Sequence, residues 1–319
     1  MLSGEQIGQL MDRIREQFAM AQDAEITMEV NPGTASAEKL RNFYTAGINR
    51  LSIGMQSAQA EELKNLGRIH DFEGFCQVYR EAVEAGFTNI NVDIMSGLPG
   101  QTLASYRDTL EKVLHLEPMP QHISAYSLIV EEGTPFAAMA ERGELPLPEE
   151  ETERAMYEET IEVLAKYGFH RYEISNYARD GYECRHNVGY WIRRDYLGFG
   201  IGAASLIDNV RFQNEKSLGA YLAHPLESRE EEQTLTVQDR MEETMFLGLR
   251  LTRGVSCVDF AEQYGRTVEE VYGEVIARNV ADGLLTVTEG KENQKKDRFL
   301  ALTKRGLDLS NYVMAQFLF

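Results

Sequence analysis

Hydrophobic and polar positions along residues 1–180 follow two alternating periods. Apolar side chains three or four residues apart predict helices, and short apolar runs bounded by Gly, Pro or Asn predict strands. Strands that alternate with helices of this length form βαβ units around a parallel sheet with right-handed crossovers. Five strands are predicted in this way: EITMEV, INRLSIGMQ, NINVDIM, HISAYSLIV and RYEISNY.

The helices between these strands carry start and stop residues. Ser36 and Thr102 stand where an N-cap side chain would accept a hydrogen bond from the first turn. Gly47, Gly86 and Gly168 stand where a left-handed residue ends a helix. The capping residues and the periodicity therefore predict the same element boundaries.

The predicted series begins with a helix, LSGEQIGQLMDRIREQF, where a βα array would begin with a strand. One βα turn of the array is expected to be absent, since a full βαβ unit needs about 30 residues or more. The edge of EITMEV would then be bare, and a bare edge favours pairing with another chain. A homodimer joined at this edge is one expected consequence.

The pattern changes near residue 205. The polar segment 225–238 is interpreted as a linker or a solvated helix. Ser256 with Asp259 and Thr267 with Glu270 fit the spacing of capping boxes, so two helices are predicted there. A hairpin of LLTVTEG and DRFLALT and a last helix, GLDLSNYVMAQFLF, complete a winged-helix-like α+β domain. The predicted organisation is a barrel-like domain over 1–205, a connecting segment over 206–238 and the small domain over 239–319.

The charge of the chain argues against a nucleic-acid partner. The 319 residues include 32 Lys and Arg against 51 Asp and Glu, a formal net charge of −19. Binding to a phosphate backbone requires clustered cations. The helix that would read DNA in a winged helix carries Glu269, Glu270 and Glu274 against Arg278, and it would repel phosphates.

The cellular setting is predicted from what the sequence lacks. No apolar run reaches the ~18 residues of a membrane span. The amphipathic, acid-containing start is unlike a signal or transit peptide. Cys76, Cys184 and Cys257 form neither a disulfide framework nor a CxxC pair, and no histidine pair has zinc-site spacing. We expect a reduced cytoplasmic protein.

Polar side chains stand at the ends of several predicted strands. Ligands bind at the carboxyl ends of parallel strands in βα folds, so polar residues there are informative. Glu29, Gln56 and Asp93 occupy such ends, and Arg68 follows the second of these strands. Together they favour a polar small-molecule pocket over packing. The alternative is a structural ion pair, for example Asp93 with Arg68. Further strand-end polar groups are Asn31, Glu173 and Asn176.

These segments resemble a known family. EVNPGT, RLSIGMQS, LGRIH, VDIMSGLPGQT, YEISNYARDGYECRHNVGYW and DYLGFGIGAAS resemble the radical S-adenosylmethionine (SAM) enzymes of the coproporphyrinogen III oxidase group, most closely their haem-chaperone subgroup. The resemblance implies a partial (β/α)6 barrel, here without its first strand. It also implies SAM held by Glu29, Gln56, Arg68 and Asp93. Carboxylates suit the ribose diol and the cationic groups of SAM, and an arginine suits its carboxylate.

The resemblance also implies a [4Fe–4S] cluster, which the family binds with a CxxxCxxC motif after the first strand. That motif and the Gly-rich run that contacts the SAM amino group are absent from this sequence. We expect full-length relatives to bind the cluster and this chain, as given, to be unable to bind it and to be inactive. Cys76 and Cys257 are predicted to pack in cores, as free cysteines commonly do. No catalytic residue and no metal ligand is assigned.

A second group of candidates lies in CRHNVGYW, residues 184–191. Histidine is a common ligand of haem iron, and aromatic rings pack on a porphyrin plane. His186 and Tyr190 are four residues apart and would share a helix face. The alternative is that Tyr190 and Trp191 pack a loop onto the barrel, with His186 as its cap. The resemblance implies that HNxxYW marks the haem-chaperone subgroup, with haem bound by His186, Asn187, Tyr190 and Trp191.

The favoured function is therefore haem trafficking: the chain would bind haem or a porphyrin and pass haem to a haem-accepting protein. One alternative is an oxygen-independent coproporphyrinogen III oxidase, which removes carboxyl groups by radical decarboxylation. The other is an inactive truncated barrel. The GLPGQT segment lacks the Walker lysine and the GxGxxG spacing, so it is interpreted as a turn that lets the backbone approach a ligand near Asp93.

Overall fold

The computed structural model describes residues 2–225, 229–292 and 295–318. The chain forms two compact units, one of Met1–Arg171 with Ser175–Glu183 and one of Tyr172–Ile174 with Cys184–Phe319. The domain boundaries predicted at 205 and 238 stay predictions, and the units divide between Glu183 and Cys184. None of the described helices has the length and apolar character needed to cross a membrane.

The first unit contains a six-stranded sheet in the order β1-β2-β3-β4-β6-β5. The first four strands run parallel, as the alternating pattern predicts. Because β1 pairs only with β2 among the described strands, it lies at an edge of the sheet, and its pairing with a second chain stays a prediction. The strands are β1 Thr27–Val30, β2 Arg50–Gln56, β3 Ile90–Ser96, β4 His122–Ser127, β5 His170–Arg171 and β6 Asn176–Ala178.

Helices cover one face of this sheet. Ser36 and Thr102 cap their helices as predicted, and Gly86 ends α4 in the left-handed conformation. The short helices α3 and α6 carry too few periodic positions to be predicted. The helices are α1 Gly4–Gln17, α2 Ala37–Thr45, α3 Ala60–Asn65, α4 Phe72–Ala85, α5 Leu103–Leu114, α6 Pro135–Glu141 and α7 Glu150–Lys166, with a 3-10 turn at Pro32–Thr34.

The two faces of the sheet differ in chemistry because successive side chains of a strand point to opposite sides. One row across the sheet is apolar and buried in the helix-covered core: Val30, Ile53, Val92 and Ile123. The neighbouring row on the other face is polar: Glu29, Ser52, Asn91 and His122. The second face of the sheet therefore carries polar side chains, which can bind a polar ligand or form hydrogen bonds with one another.

The far end of the sheet departs from the all-parallel expectation. RYEISNY, predicted as one strand, forms β5 and β6, which pair with each other antiparallel. β6 lies between β4 and β5 and runs antiparallel to β4. The reason is the break at residues 172–175, which reverses the chain and turns one predicted strand into a hairpin.

The second unit contains the winged-helix-like part predicted from the sequence. Its sheet has the order β10-β12-β11, and Thr267 and Glu270 form the predicted capping box. Ser256 caps the preceding helix by accepting from the backbone N–H of Asp259. The elements are α10 Val237–Gly248, β10 Val255–Ser256, α11 Cys257–Tyr264, α12 Val268–Ala281, β11 Leu285–Glu292, β12 Lys295–Leu302, α13 Lys304–Asp308 and α14 Ser310–Ala315.

Two predictions for this unit are wrong in part. The polar segment 225–238 contains a strand, β9. This strand pairs with the edge of the hairpin that precedes it, and the local sequence pattern does not reveal that pairing. Residues 226–228 lie outside the described residues. The last helix is two helices separated at Leu309, whose φ of −112° and ψ of 27° are not helical. The remaining elements are α8 Arg185–Trp191, β7 Ala204–Ile207, β8 Val210–Asn214, α9 Leu218–Ala223 and β9 Arg229–Thr234.

Candidate functional site

Tyr126 on β4 lies near the four residues that the family resemblance assigns to SAM. Its hydroxyl donates a hydrogen bond of 2.8 Å to Oε1 of Gln56. The charges of Asp93, Arg68 and Glu29 all act on its phenol, and burial followed by Asp93 raises the pKa of Tyr126 to about 12. Gln56 therefore contacts Tyr126, and the charges of Glu29, Arg68 and Asp93 lie within electrostatic range of it; Gln56 ends β2, whereas Asp93 is the middle residue of β3. We call these five side chains the mouth cluster.

Asp93 is held by neutral donors. Ser52 Oγ donates to it at 3.1 Å and Asn91 Nδ2 at 2.8 Å. Burial raises the pKa of Asp93, these hydrogen bonds oppose that shift, and the nearby charge of Glu29 adds to it. Among the described residues Arg68 forms no ion pair with Asp93 or any other acid within 4.0 Å, so the predicted alternative of a structural Asp93–Arg68 pair is wrong.

Asn91 connects Asp93 to a buried histidine. The amide nitrogen of Asn91 donates to Ser52 and Asp93, so its Oδ1 must be an acceptor. Nδ1 of His122 lies 2.6 Å from this oxygen and therefore carries the proton of that ring. Burial, with the charge of Arg50 beside it, holds the pKa of His122 well below its usual range. His122 is thus neutral and orients Asn91, which in turn orients Asp93.

Gln56 reaches the mouth cluster through an irregular strand end. Its φ is 69°, and the pairing of β2 with β3 shifts register between Gly54 and Gln56. A Cβ on Gly54 would lie 2.9 Å from Gln56 Nε2, so the glycine leaves room for the amide to lie over the strand. Bulges and left-handed residues of this kind cluster at functional sites because they redirect a side chain.

Glu62 on α3 ties together the two loops that follow β2 and β3. Its Oε2 accepts from Ser57 Oγ at 2.6 Å and from Gln101 Nε2 at 3.0 Å, and its Oε1 accepts from Ser105 Oγ at 2.6 Å. Gln101 also accepts from the backbone N–H of Leu98. The GLPGQT turn is therefore held in place by a buried carboxylate, which sequence reasoning missed because the partners lie up to 43 residues away.

The second candidate group lies on α8. The rings of His186 and Tyr190 meet edge to face with centroids 4.7 Å apart, which confirms that they share a helix face. Tyr190 in turn meets Tyr196 edge to face at 4.7 Å. His186 is exposed, and Asn187 beside it is half-buried. A three-ring aromatic ladder thus ends in an exposed imidazole.

Trp191 does not join this ladder. It contacts the turn that follows α10, where the guanidinium of Arg250 lies 4.3 Å from its ring centroid. Residues 190 and 191 lie about 100° apart around a helix, so the ladder and the indole occupy different faces. For Trp191 the structure agrees with the packing interpretation, although the packing is within the second unit. Its membership of a single haem-contacting face is not supported.

The three cysteines are free thiols. Cys76 packs against the core of the first unit and Cys257 against that of the second, as predicted, while Cys184 is buried at the start of α8. Burial raises the pKa of Cys76, and it raises the pKa of Cys257 to about 11. Within the described ranges no three His, Cys, Asp or Glu side chains form a group that could hold a metal ion. These residues do not fit an iron–sulfur cluster.

The chain resembles radical SAM proteins of the coproporphyrinogen oxidase type, because two family models match its parallel-sheet part and its small winged-helix-like part. Residues 3–113 match the radical SAM superfamily, and residues 235–309 match the HemN C-terminal domain. The fold is similar to coproporphyrinogen III oxidase (HemN) from Escherichia coli, with a TM-score of 0.80 and 24% identity over 99% of this chain and 74% of that chain.

Relatives that are similar in sequence identify the family within this class. The haem chaperone HemW of Bacillus subtilis is 38% identical over 99% of this chain and 82% of its own length. HemW of Lactococcus lactis is 36% identical over 99% and 81%, and HemW of Escherichia coli is 34% identical over 90% and 75%. The chain belongs to the HemW family.

Proposed function

We propose that this protein is a haem chaperone, which binds haem at the ladder of His186, Tyr190 and Tyr196 and passes it to a haem-accepting protein. The observation that carries the proposal is the exposed imidazole at the end of the ladder. A neutral imidazole is a ligand of haem iron, and the adjoining rings offer apolar surface to a porphyrin. The handover would occur in the cytoplasm, where thiols such as those of the three free cysteines stay reduced.

The haem titration of the full chain tests this proposal. Wild type is expected to shift the Soret band, and His186→Ala is expected to bind at least about tenfold more weakly, a loss of ~1.4 kcal/mol, because the axial ligand is removed. His115→Ala is the matched control, since His115 is an exposed histidine at the end of α5 in the other unit. Equal Soret shifts in wild type and His186→Ala would contradict haem binding at the ladder.

We propose in addition that the mouth cluster binds SAM. The fit rests on the donor set: Arg68 has no acidic partner among the described residues and can take a carboxylate, while Glu29 and Asp93 can take the diol and the cationic groups. SAM, when bound in members of the superfamily, supplies the group that is cleaved reductively. In this chain the residues of the mouth cluster bind and orient SAM.

Calorimetry with SAM tests the mouth cluster. We expect weak binding to wild type, and binding about tenfold weaker or more in Arg68→Gln, because a charge-assisted contact contributes about 1.5–3 kcal/mol. Arg80→Gln on the exposed side of α4 is the control and should bind as wild type does. Unchanged affinity in Arg68→Gln would remove Arg68 from the site, and an equal loss in both variants would show a general effect of charge.

A further inference from the structure

A cavity of about 330 Å³ lies beside Trp191, between α8, α10 and α14 of the second unit. Most of its wall is apolar, and its polar side chains are Arg250 and Asn311. This volume is at the lower end of small-molecule pockets. The apolar residues of the wall are Phe246, Leu247, Met314, Ala315 and Leu318, together with the indole of Trp191.

Arg250 lines this cavity without a counter-charge among the described residues. Within the part of the chain that the structure describes, neither the indole Nε1 of Trp191 nor Nε of Arg250 has a hydrogen-bond partner. No Asp or Glu is among the described residues that line the cavity, and Arg250 forms no ion pair there.

The residues that line the cavity determine which ligand would suit Arg250. A guanidinium with no counter-charge favours an anion, and its planar N–H groups match a carboxylate. The apolar walls disfavour a heavily hydrated anion such as a phosphate, because its remaining oxygens would be buried without partners. An apolar body bearing one carboxylate satisfies both conditions.

We propose that this cavity binds the carboxylate of an apolar acid, which pairs with the guanidinium of Arg250 while the apolar body contacts Phe246, Leu247 and Met314. Two sources share this chemistry: a propionate arm of a porphyrin and a free small acid. The cavity is too small for a whole macrocycle and admits one arm of it. The porphyrin source rests on the proposed haem function; the free-acid source does not.

The only tryptophan of the chain is at the cavity wall, so its fluorescence reports the site directly. Titration of the full chain with 3-phenylpropionate is expected to change the Trp191 emission saturably. The neutral 3-phenylpropanamide should bind at least about tenfold more weakly, since it lacks the charge-assisted contact with Arg250. Arg250→Gln should lose this preference for the acid while still binding the amide, which shows that the cavity is intact.

Arg298→Gln is the matched control, because Arg298 is an exposed arginine of the same unit that pairs with Glu269. It should keep the wild-type preference for the acid. Equal binding of acid and amide by wild type, an unchanged preference in Arg250→Gln, or no fluorescence response at all would overturn the inference.

Haem and its dimethyl ester distinguish the two sources. Weaker haem binding both on esterification and in Arg250→Gln identifies a porphyrin propionate. Haem binding that neither esterification nor Arg250→Gln weakens, together with an intact response to 3-phenylpropionate, identifies a free acid. A missing Soret shift with an intact response to 3-phenylpropionate overturns the haem proposal alone.

Discussion

Replacement of Glu62 by alanine is expected to lower the free energy of unfolding of the first unit by about 3–5 kcal/mol. Glu62 is 5% exposed, and its carboxylate accepts from Ser57, Gln101 and Ser105. Ser57 and Gln101 are themselves buried, so the substitution leaves the Ser57 hydroxyl and one N–H of Gln101 without an acceptor and opens a void; the Gln101 amide keeps its bond to the Met95 carbonyl. The loss combines unsatisfied buried polar groups with lost packing.

The measurement is urea denaturation followed by circular dichroism. Glu62→Gln is the matched variant: it keeps an oxygen acceptor and nearly the same volume, so it should lose about 1–2 kcal/mol. Because Glu62 holds the loops after β2 and β3, we also expect SAM binding to weaken in Glu62→Ala under conditions where the variant is folded. A loss below about 1 kcal/mol in Glu62→Ala would show that water replaces the carboxylate.

Replacement of Glu243 by alanine is expected to lower the stability of the second unit by a similar amount, about 3–5 kcal/mol, because it leaves a buried charge uncompensated. The side chains of Glu243 and Arg193 are 7% and 4% exposed, and they pair at 2.7 Å. The other carboxylate oxygen pairs with Arg211 at 2.8 Å. The other hydrogen bond of Arg193 goes from Nη1 to the neutral Oδ1 of Asn209, and Glu243 is the one acid that pairs with it among the described residues.

Trp191 fluorescence follows the unfolding of this unit, since α8 and α10 pack together around the indole. Arg211→Ala is the control: that side chain is 40% exposed, and removing a solvent-exposed partner should lose about 1 kcal/mol or less. Comparable losses in Glu243→Ala and Arg211→Ala would mean that the buried Arg193–Glu243 pair does not stabilise the unit.

Local chemistry made much of the fold predictable. Ser36 and Thr102 cap the helices that they were expected to cap, because a hydroxyl that accepts from the next turn requires only adjacent residues. The alternation of β3 predicted that Asn91 and Asp93 share a face, and both are in one hydrogen-bonded network. Gln56 ends β2 as expected, whereas Asp93, which was expected at a strand end, is the middle residue of β3; that these residues form a SAM site stays a prediction.

Pairings across long stretches of chain were not predictable in this way. Tyr126 completes the mouth cluster from β4, 70 residues beyond Gln56. The HNxxYW motif predicted four residues at one site, yet Trp191 contacts Arg250 while His186 contacts Tyr190. The spacing within a motif gives the angle of each side chain around its helix, but the neighbours at that angle come from distant segments.

The sequence by itself determined the order of strands and helices, the helix caps and the set of polar residues at the strand ends, because these depend on contacts within a few residues. Only the tertiary structure decided that β6 runs between β4 and β5, that Glu62 joins two loops and that Arg250 and Trp191 line a cavity without an acid. These depend on register, packing and burial, which are properties of segments brought together and not of any one segment.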